Sequence, residues 1–214
     1  MAIRILPDWP VLAVLAAVCL LCAPFLFGGQ VLFWGLPLLQ FFPWHQLVRD
    51  SLAAGYLPLW DPHLGMGAPL LANAQSALLY PPNWILLIVP IEFGQGWLVA
   101  FHLALAGWGM VRLTRAFGIG RFGQTVAGLA FALSGYLVAR AWFLTINASV
   151  AWLPWIILAG EEFVRKPRRN AILALGGLLA MQWMAGHWQT AWYTGLLLAG
   201  WVTVRAWRRG SVMR

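Results

Sequence analysis

The run from Trp9 to Phe27 constrains this chain more than any other feature: 19 consecutive residues carry no charge. As a helix the run extends about 28 Å, enough to cross the apolar core of a bilayer. Arg4 precedes it, and its end, Ala23-Pro24-Phe25-Leu26-Phe27, lacks the cleavage site of a signal peptide. An uncleaved first span is predicted. Composition agrees, since 62% of the 214 residues are hydrophobic and only 9% are charged, against about 25% charged in ordinary soluble domains. A disordered tail, a disulfide scaffold and a conventional cytosolic enzyme are excluded. Cys19 and Cys22 stand alone in the apolar run. They are too few for a four-ligand metal site and read as packing or lipid-facing thiols.

Further apolar runs predict spans near Gln95–Val111, Gln124–Trp142, Ser149–Phe163, Ala171–His187 and Trp188–Trp207, about six in all. The formal charge of +8 then acquires a direction. Arg4, Arg112, Arg115, Arg121, Arg165, Lys166, Arg168, Arg169, Arg205, Arg208, Arg209 and Arg214 all fall on one face of six alternating spans. Against Asp8, Glu161 and Glu162 they leave +9 on that face. Arg49 and Arg140 against Asp50, Asp61 and Glu92 leave −1 on the other. By the positive-inside rule the basic face is cytoplasmic, with both termini inside. Arginines at every second turn do not make one nucleic-acid surface, so that reading is dropped. Trp142, Trp152, Trp155, Trp188, Trp192 and Trp207 lie near span ends and fit an aromatic belt.

The fold expected is therefore an all-α, polytopic helix bundle in three parts. These are a first span over 1–28, an external loop over 29–94 and a five-span bundle over 95–214. Within the loop, Pro43 to Ala54 predicts an amphipathic helix lying at the interface, with Trp44, Leu47, Val48 and Leu52 toward lipid and Gly55 as its C-cap. Asn83 to Val89 is too short to span and predicts a re-entrant or interfacial piece closed by Pro90.

The loop is also where polar groups converge. A membrane enzyme acting outside the cell needs a base there and a cation for a leaving phosphate. Arg49 and Arg140 are the external cations; the alternatives are a solvated helix face for Arg49 and a snorkelling side chain for Arg140. His45 and His63 lie in the same loop. His102 sits about 10 Å into the second span, where an ionisable group is a functional candidate, although a hydrogen bond to a neighbouring helix would also explain it. His187 faces the same vestibule and either contacts a substrate or caps a turn. Asn147-Ala148-Ser149 matches a glycosylation acceptor pattern, which we read as coincidence.

The order of the loop motifs resembles a known family. Gln40-Phe41-Phe42-Pro43-Trp44 is followed by Gly55-Tyr56-Leu57-Pro58-Leu59-Trp60-Asp61-Pro62, then Gly67-Ala68-Pro69-Leu70-Leu71-Ala72-Asn73, Gln75-Ser76 and Tyr80-Pro81-Pro82-Asn83. His102, Ser134-Gly135-Tyr136, Trp152-Leu153-Pro154-Trp155 and Gly186-His187-Trp188-Gln189 continue the likeness. From about Gly28 to Tyr193 the chain resembles the bacterial YfhO-like membrane proteins, relatives of the GT-C glycosyltransferases. The resemblance implies a bacterial inner-membrane protein that transfers a sugar from a polyprenyl-phosphate carrier to an extracytoplasmic glycan or polymer acceptor. It also implies a loop acid as base or metal ligand, which leaves a divalent cation open. The family often carries an Asp shortly before the Gln of Gln-Phe-x-Pro-Trp; here Gly35 to Gln40 holds no acid. Asp61 and Asp50 remain as catalytic candidates, with turn formation the alternative for Asp61. Gln40, His45, Arg49, Asn73, Gln75, Tyr80, His102, Arg140 and His187 make up the candidate substrate-binding set. The alternative function is a non-catalytic membrane module that binds lipid-linked saccharide or partner helices; a transporter is a weaker rival. Family members are generally several times longer, so the chain is expected to be the N-terminal portion of such an architecture.

Overall fold

Helix α1 (Trp9–Leu26) begins behind Asp8 with Pro10 in its first turn, where the missing N–H costs nothing. Its buried residues, Val11, Val14, Val18 and Cys22, recur every three or four positions and form one stripe, while Leu12, Leu15, Leu20 and Leu21 are exposed around the rest. The computed structural model describes residues 8–32 and 34–212, so Arg4 and Arg214 lie outside the described residues. Of the two thiols, Cys19 is exposed and Cys22 buried, and both are free.

The stripe of α1 packs against α3 (Ile91–Ala116) and α4 (Arg121–Ala132). Close approach depends on glycine: a Cβ on Gly107 would stand 2.4 Å from Val14 Cγ1, and one on Gly128 would stand 2.8 Å from Val14 Cγ2. Helix α4 stops at Leu133. Ser134 then caps the short α5 (Gly135–Ala139) by accepting from the Leu137 N–H at 3.3 Å. Next come α6 (Leu144–Ala151) and α7 (Leu153–Arg165), which are offset at Trp152 because Pro154 cannot donate to the turn before it. Helices α8 (Arg169–Met184) and α9 (Trp188–Val212) flank α7.

Four of these stretches are long and apolar enough to cross a membrane: Trp9–Leu26, Ile91–Ala116, Arg121–Ala139 and Leu144–Arg165. The apolar windows of Ile91–Ala116 and Leu144–Arg165 are 61% and 72% buried, against 28% for Trp9–Leu26, so α3 with α6 and α7 forms the centre. The second and fourth runs are longer than the sequence suggests. The fourth starts at Leu144 because Thr145, Asn147 and Ser149, polar in sequence, are all buried.

Between α1 and α3 the chain is built from short elements. A π-helical turn (Pro37–Phe41) runs straight into α2 (Phe42–Ala53). Helix α2 closes as foreseen: Gly55 takes φ +85°, and the Tyr56 and Gly55 N–H groups donate to the Ser51 and Leu52 carbonyls, both at 3.1 Å. Strands β1 (Trp60–Asp61) and β2 (Ala68–Pro69) pair antiparallel, Trp60 opposite Pro69. Two 3₁₀ helices follow, Ala74–Ser76 and Pro81–Leu87, the second occupying the piece expected to be re-entrant or interfacial. One expectation is corrected here. Trp44 and Val48 do not face outward; they are buried with Phe41 and Leu70, and Leu52 is exposed.

The two ends of the bundle differ chemically. At one end Arg115 pairs with Asp8, Arg165 donates to Glu161 at 2.8 Å and to the Ala116 carbonyl at 3.1 Å, and Arg205 also pairs with Glu161. The Arg115 guanidinium holds the Asp8 carboxyl below the usual carboxylate range. The opposite end carries α2, the β1–β2 hairpin, both 3₁₀ helices and the α8–α9 turn. A Cβ on Gly186 would come within 2.4 Å of the Ala74 carbonyl oxygen, so this turn rests directly on the first 3₁₀ helix.

Candidate functional site

A small enclosed cavity lies where the short elements meet the bundle, and it brings together residues distant in sequence. Helix α2 contributes His45, the first 3₁₀ helix Gln75 and Ser76, α3 His102, and α6 Thr145 and Asn147. Tyr80 adjoins it. Its hydroxyl lies 2.8 Å from His102 Nε2, and the two rings stack with centroids 5.6 Å apart. Trp152 Nε1–H donates to the same hydroxyl at 2.9 Å. The other ring nitrogen of His102 bonds the Leu98 backbone carbonyl, which only accepts, so the imidazole hydrogen is on Nδ1 and Nε2 accepts from the Tyr80 O–H. Tyr80 is fully buried and burial raises its phenol above the ordinary range, so it remains a donor at any physiological pH. His102 is thus hydrogen-bonded to Tyr80, which lies between the two 3₁₀ helices.

His45 is the second buried imidazole. Its Nδ1 lies 2.7 Å from the Phe41 carbonyl, and burial lowers its pKa to about 4, so the ring is neutral near pH 7. Gln75 accepts from Gln40 Nε2 at 3.2 Å near the same rim. Asn73 caps the first 3₁₀ helix by accepting from the Gln75 N–H at 3.1 Å. It also borders an open apolar groove of about 320 Å³ walled by Trp183, Met184 and Trp188.

The remaining candidates lie elsewhere. Asp61 Oδ1 accepts from the His63 N–H at 2.9 Å in a local turn, and the residue is 7% exposed. Asp50 is exposed and accepts from Gln46 Nε2 at 2.8 Å. Neither lines the cavity. Arg49 is neither a fully solvated side chain nor an open anion site, because its Nη2 donates to the Leu86 and Val89 carbonyls and clasps α2 to the end of the second 3₁₀ helix. Arg140 lies over the Tyr136 ring, 4.6 Å from its centroid. His187 Nδ1 accepts from the Thr190 N–H at 3.3 Å and so caps α9. Burial first, and the Arg140 charge second, lower its pKa. Among the described residues, no cluster of three or more His, Cys, Asp or Glu side chains could hold a metal ion.

Three members of the site, Thr145, Asn147 and Trp152, are not among the sequence candidates. Asn147, passed over within a glycosylation pattern, is 1% exposed and lines the cavity. Trp152 and Trp155, assigned to an aromatic belt, turn inward; Trp155 Nε1–H donates to the Leu105 carbonyl at 3.0 Å. The Trp-Leu-Pro-Trp sequence marks the helix offset at Trp152, but nothing in its spacing names the Tyr80 hydroxyl or the Leu105 carbonyl as acceptors. No family model, curated protein or solved structure matches the chain.

Proposed function

We propose that the chain is a six-span glycosyltransferase-like protein of the bacterial inner membrane, with both termini cytoplasmic. Its activity is transfer of a sugar from a polyprenyl-phosphate carrier to an extracytoplasmic acceptor. The single observation that carries this reading is that the layer of short elements bearing Asp50, Asp61, Gln40 and Asn73 lies at the end of the bundle opposite the arginine-rich end. The positive-inside rule makes that end extracytoplasmic. The sequence likeness to the YfhO-like proteins supplies the chemistry. Helix α8, with 16 residues, extends about 24 Å and serves as a short fifth span, and α9 as the sixth.

In the transfer, an acceptor hydroxyl oxygen attacks the anomeric carbon. Asp61 or Asp50 takes the hydroxyl proton. The bond from that carbon to the phosphate oxygen breaks, and the electron pair leaves on the polyprenyl phosphate, where Arg49 or Arg140 offsets the charge. For Arg49 this requires release of at least one of its carbonyl contacts. Transfer of label from a radiolabelled polyprenyl-phosphate sugar, with and without an Asp61→Asn, Asp50→Asn double substitution, tests the scheme. Unchanged transfer by the double variant removes both acids from the role of base.

A second reading is favoured by one specific observation. Asp61 is committed to its turn and Asp50 to Gln46, so neither acid reaches the enclosed cavity. A module that binds lipid-linked saccharide without turnover needs no base. Retention of the labelled carrier without product would select it.

A further inference from the structure

The cavity between α2 and α6 contains an unmet demand for hydrogens. His45 and Asn147 both line it; they are 5% and 1% exposed, and His45 Nε2 and Asn147 Oδ1 are both buried without a partner. The identity of these atoms follows from what their other halves do. His45 Nδ1 faces the Phe41 carbonyl at 2.7 Å, and a carbonyl only accepts, so Nδ1 carries the hydrogen and Nε2 presents a lone pair. Asn147 Nδ2 donates to the Leu137 carbonyl at 3.1 Å, which fixes the amide with Oδ1 turned away from it. Two buried acceptors without a partner thus belong to residues that line one space of about 10 Å³, room for one water molecule. Of the other polar side chains that line it, Ser76 Oγ already donates to the Leu70 and Asn73 carbonyls, and Asn83 Nδ2 spends one hydrogen on the Ala77 carbonyl.

We propose that this cavity is a binding site for a single water molecule that donates one hydrogen to His45 Nε2 and the other to Asn147 Oδ1. A water molecule is a guest of this size and carries the two hydrogens that the two acceptors need. A sugar hydroxyl carries one hydrogen and is attached to a carbon skeleton that the space does not admit. The water joins α2 to α6, and the site does not depend on sugar transfer.

Solid-state NMR on the full chain in lipid bilayers, with ¹⁵N-labelled histidine and water as the polarisation source, tests this directly. The expected result at pH 7 is a neutral His45 protonated on Nδ1, with rapid transfer from water to Nε2. An Asn147→Leu variant removes one acceptor and fills the space, and the water-to-Nε2 transfer should then be lost. Where that variant does not fold, a high-resolution experimental density map of the unaltered chain decides. One peak within hydrogen-bond distance of both atoms supports the site. A dry cavity, a His45 protonated on Nε2, or a water bonded to only one of the two atoms overturns it.

Discussion

The Tyr80 hydroxyl bridges Trp152 Nε1 and His102 Nε2, at 2.9 and 2.8 Å, and so fastens the short-element layer to α3 and to the start of α7. A phenol at this position does what no apolar residue could, because it receives one hydrogen and passes on another. The stack on His102 adds contact without adding a polar requirement.

Removing that oxygen is therefore expected to destabilise the protein more than loss of one surface hydrogen bond. Tyr80→Phe keeps the ring but leaves a buried imidazole nitrogen and an indole N–H unpaired, at a cost of about 1–3 kcal/mol. Tyr80→Ala also opens a cavity and is expected to cost about 3–5 kcal/mol. Thermal unfolding in bilayer discs, followed by tryptophan fluorescence, checks the order. Equal midpoints for Tyr80→Phe and the unaltered chain would contradict the bridge.

Acid should weaken the fold through His45. Its folded pKa, about 4, lies below the 6.5 of a free histidine. Between those values the unfolded chain binds the extra proton, so stability falls as pH drops from 6.5 toward 4 and then levels off. The contribution of this group is about 3 kcal/mol over the window. A His45→Gln variant should show a shallower slope in denaturant titrations run from pH 7 to pH 4. An unchanged slope would assign the acid sensitivity to other groups.

Glycine is required at 186 for two reasons that can be separated. Gly186 has φ +90° and no room for a Cβ beside the Ala74 carbonyl, whereas Gly118 has φ +77° and open space around it. Gly118→Ala should cost only the left-handed conformation, about 1–2 kcal/mol. Gly186→Ala should cost more, since the α8–α9 turn must lift from the first 3₁₀ helix. Similar unfolding midpoints for the two variants would show that the turn yields freely.

Much of this architecture is legible in the sequence, and two of the misreadings share a physical origin. The uncharged run gives α1 almost to the residue, Gly55 marks the end of α2, and the arginines foretell the two chemically distinct ends. Periodicity identifies the apolar face of α2 but does not say what covers it. In a membrane both protein and lipid are apolar, so Trp44 and Val48 could be placed against either. Trp152 shares that ambiguity, since an indole suits both the interface and a buried donor site. Asn147 was missed for a different reason. Its position falls between two predicted spans, whereas here it lies on α6 with its side chain buried. Within the candidate site, residue types were readable but pairings were not: nothing in the spacing joins position 45 to 147 or 80 to 152.

The most direct test concerns which side of the membrane carries the cavity, because the proposed substrate chemistry depends on it. Met66, at the β1–β2 hairpin, is 103% exposed, and Lys166, at the arginine-rich end, is also exposed. In a background with Cys19 and Cys22 replaced by alanine, Met66→Cys and Lys166→Cys give one thiol at each end. A membrane-impermeant maleimide added to intact cells should label Met66→Cys at once and Lys166→Cys only after the membrane is opened. Labelling of Lys166→Cys in intact cells, with Met66→Cys protected, would turn the bundle over and place the His45 cavity on the cytoplasmic side.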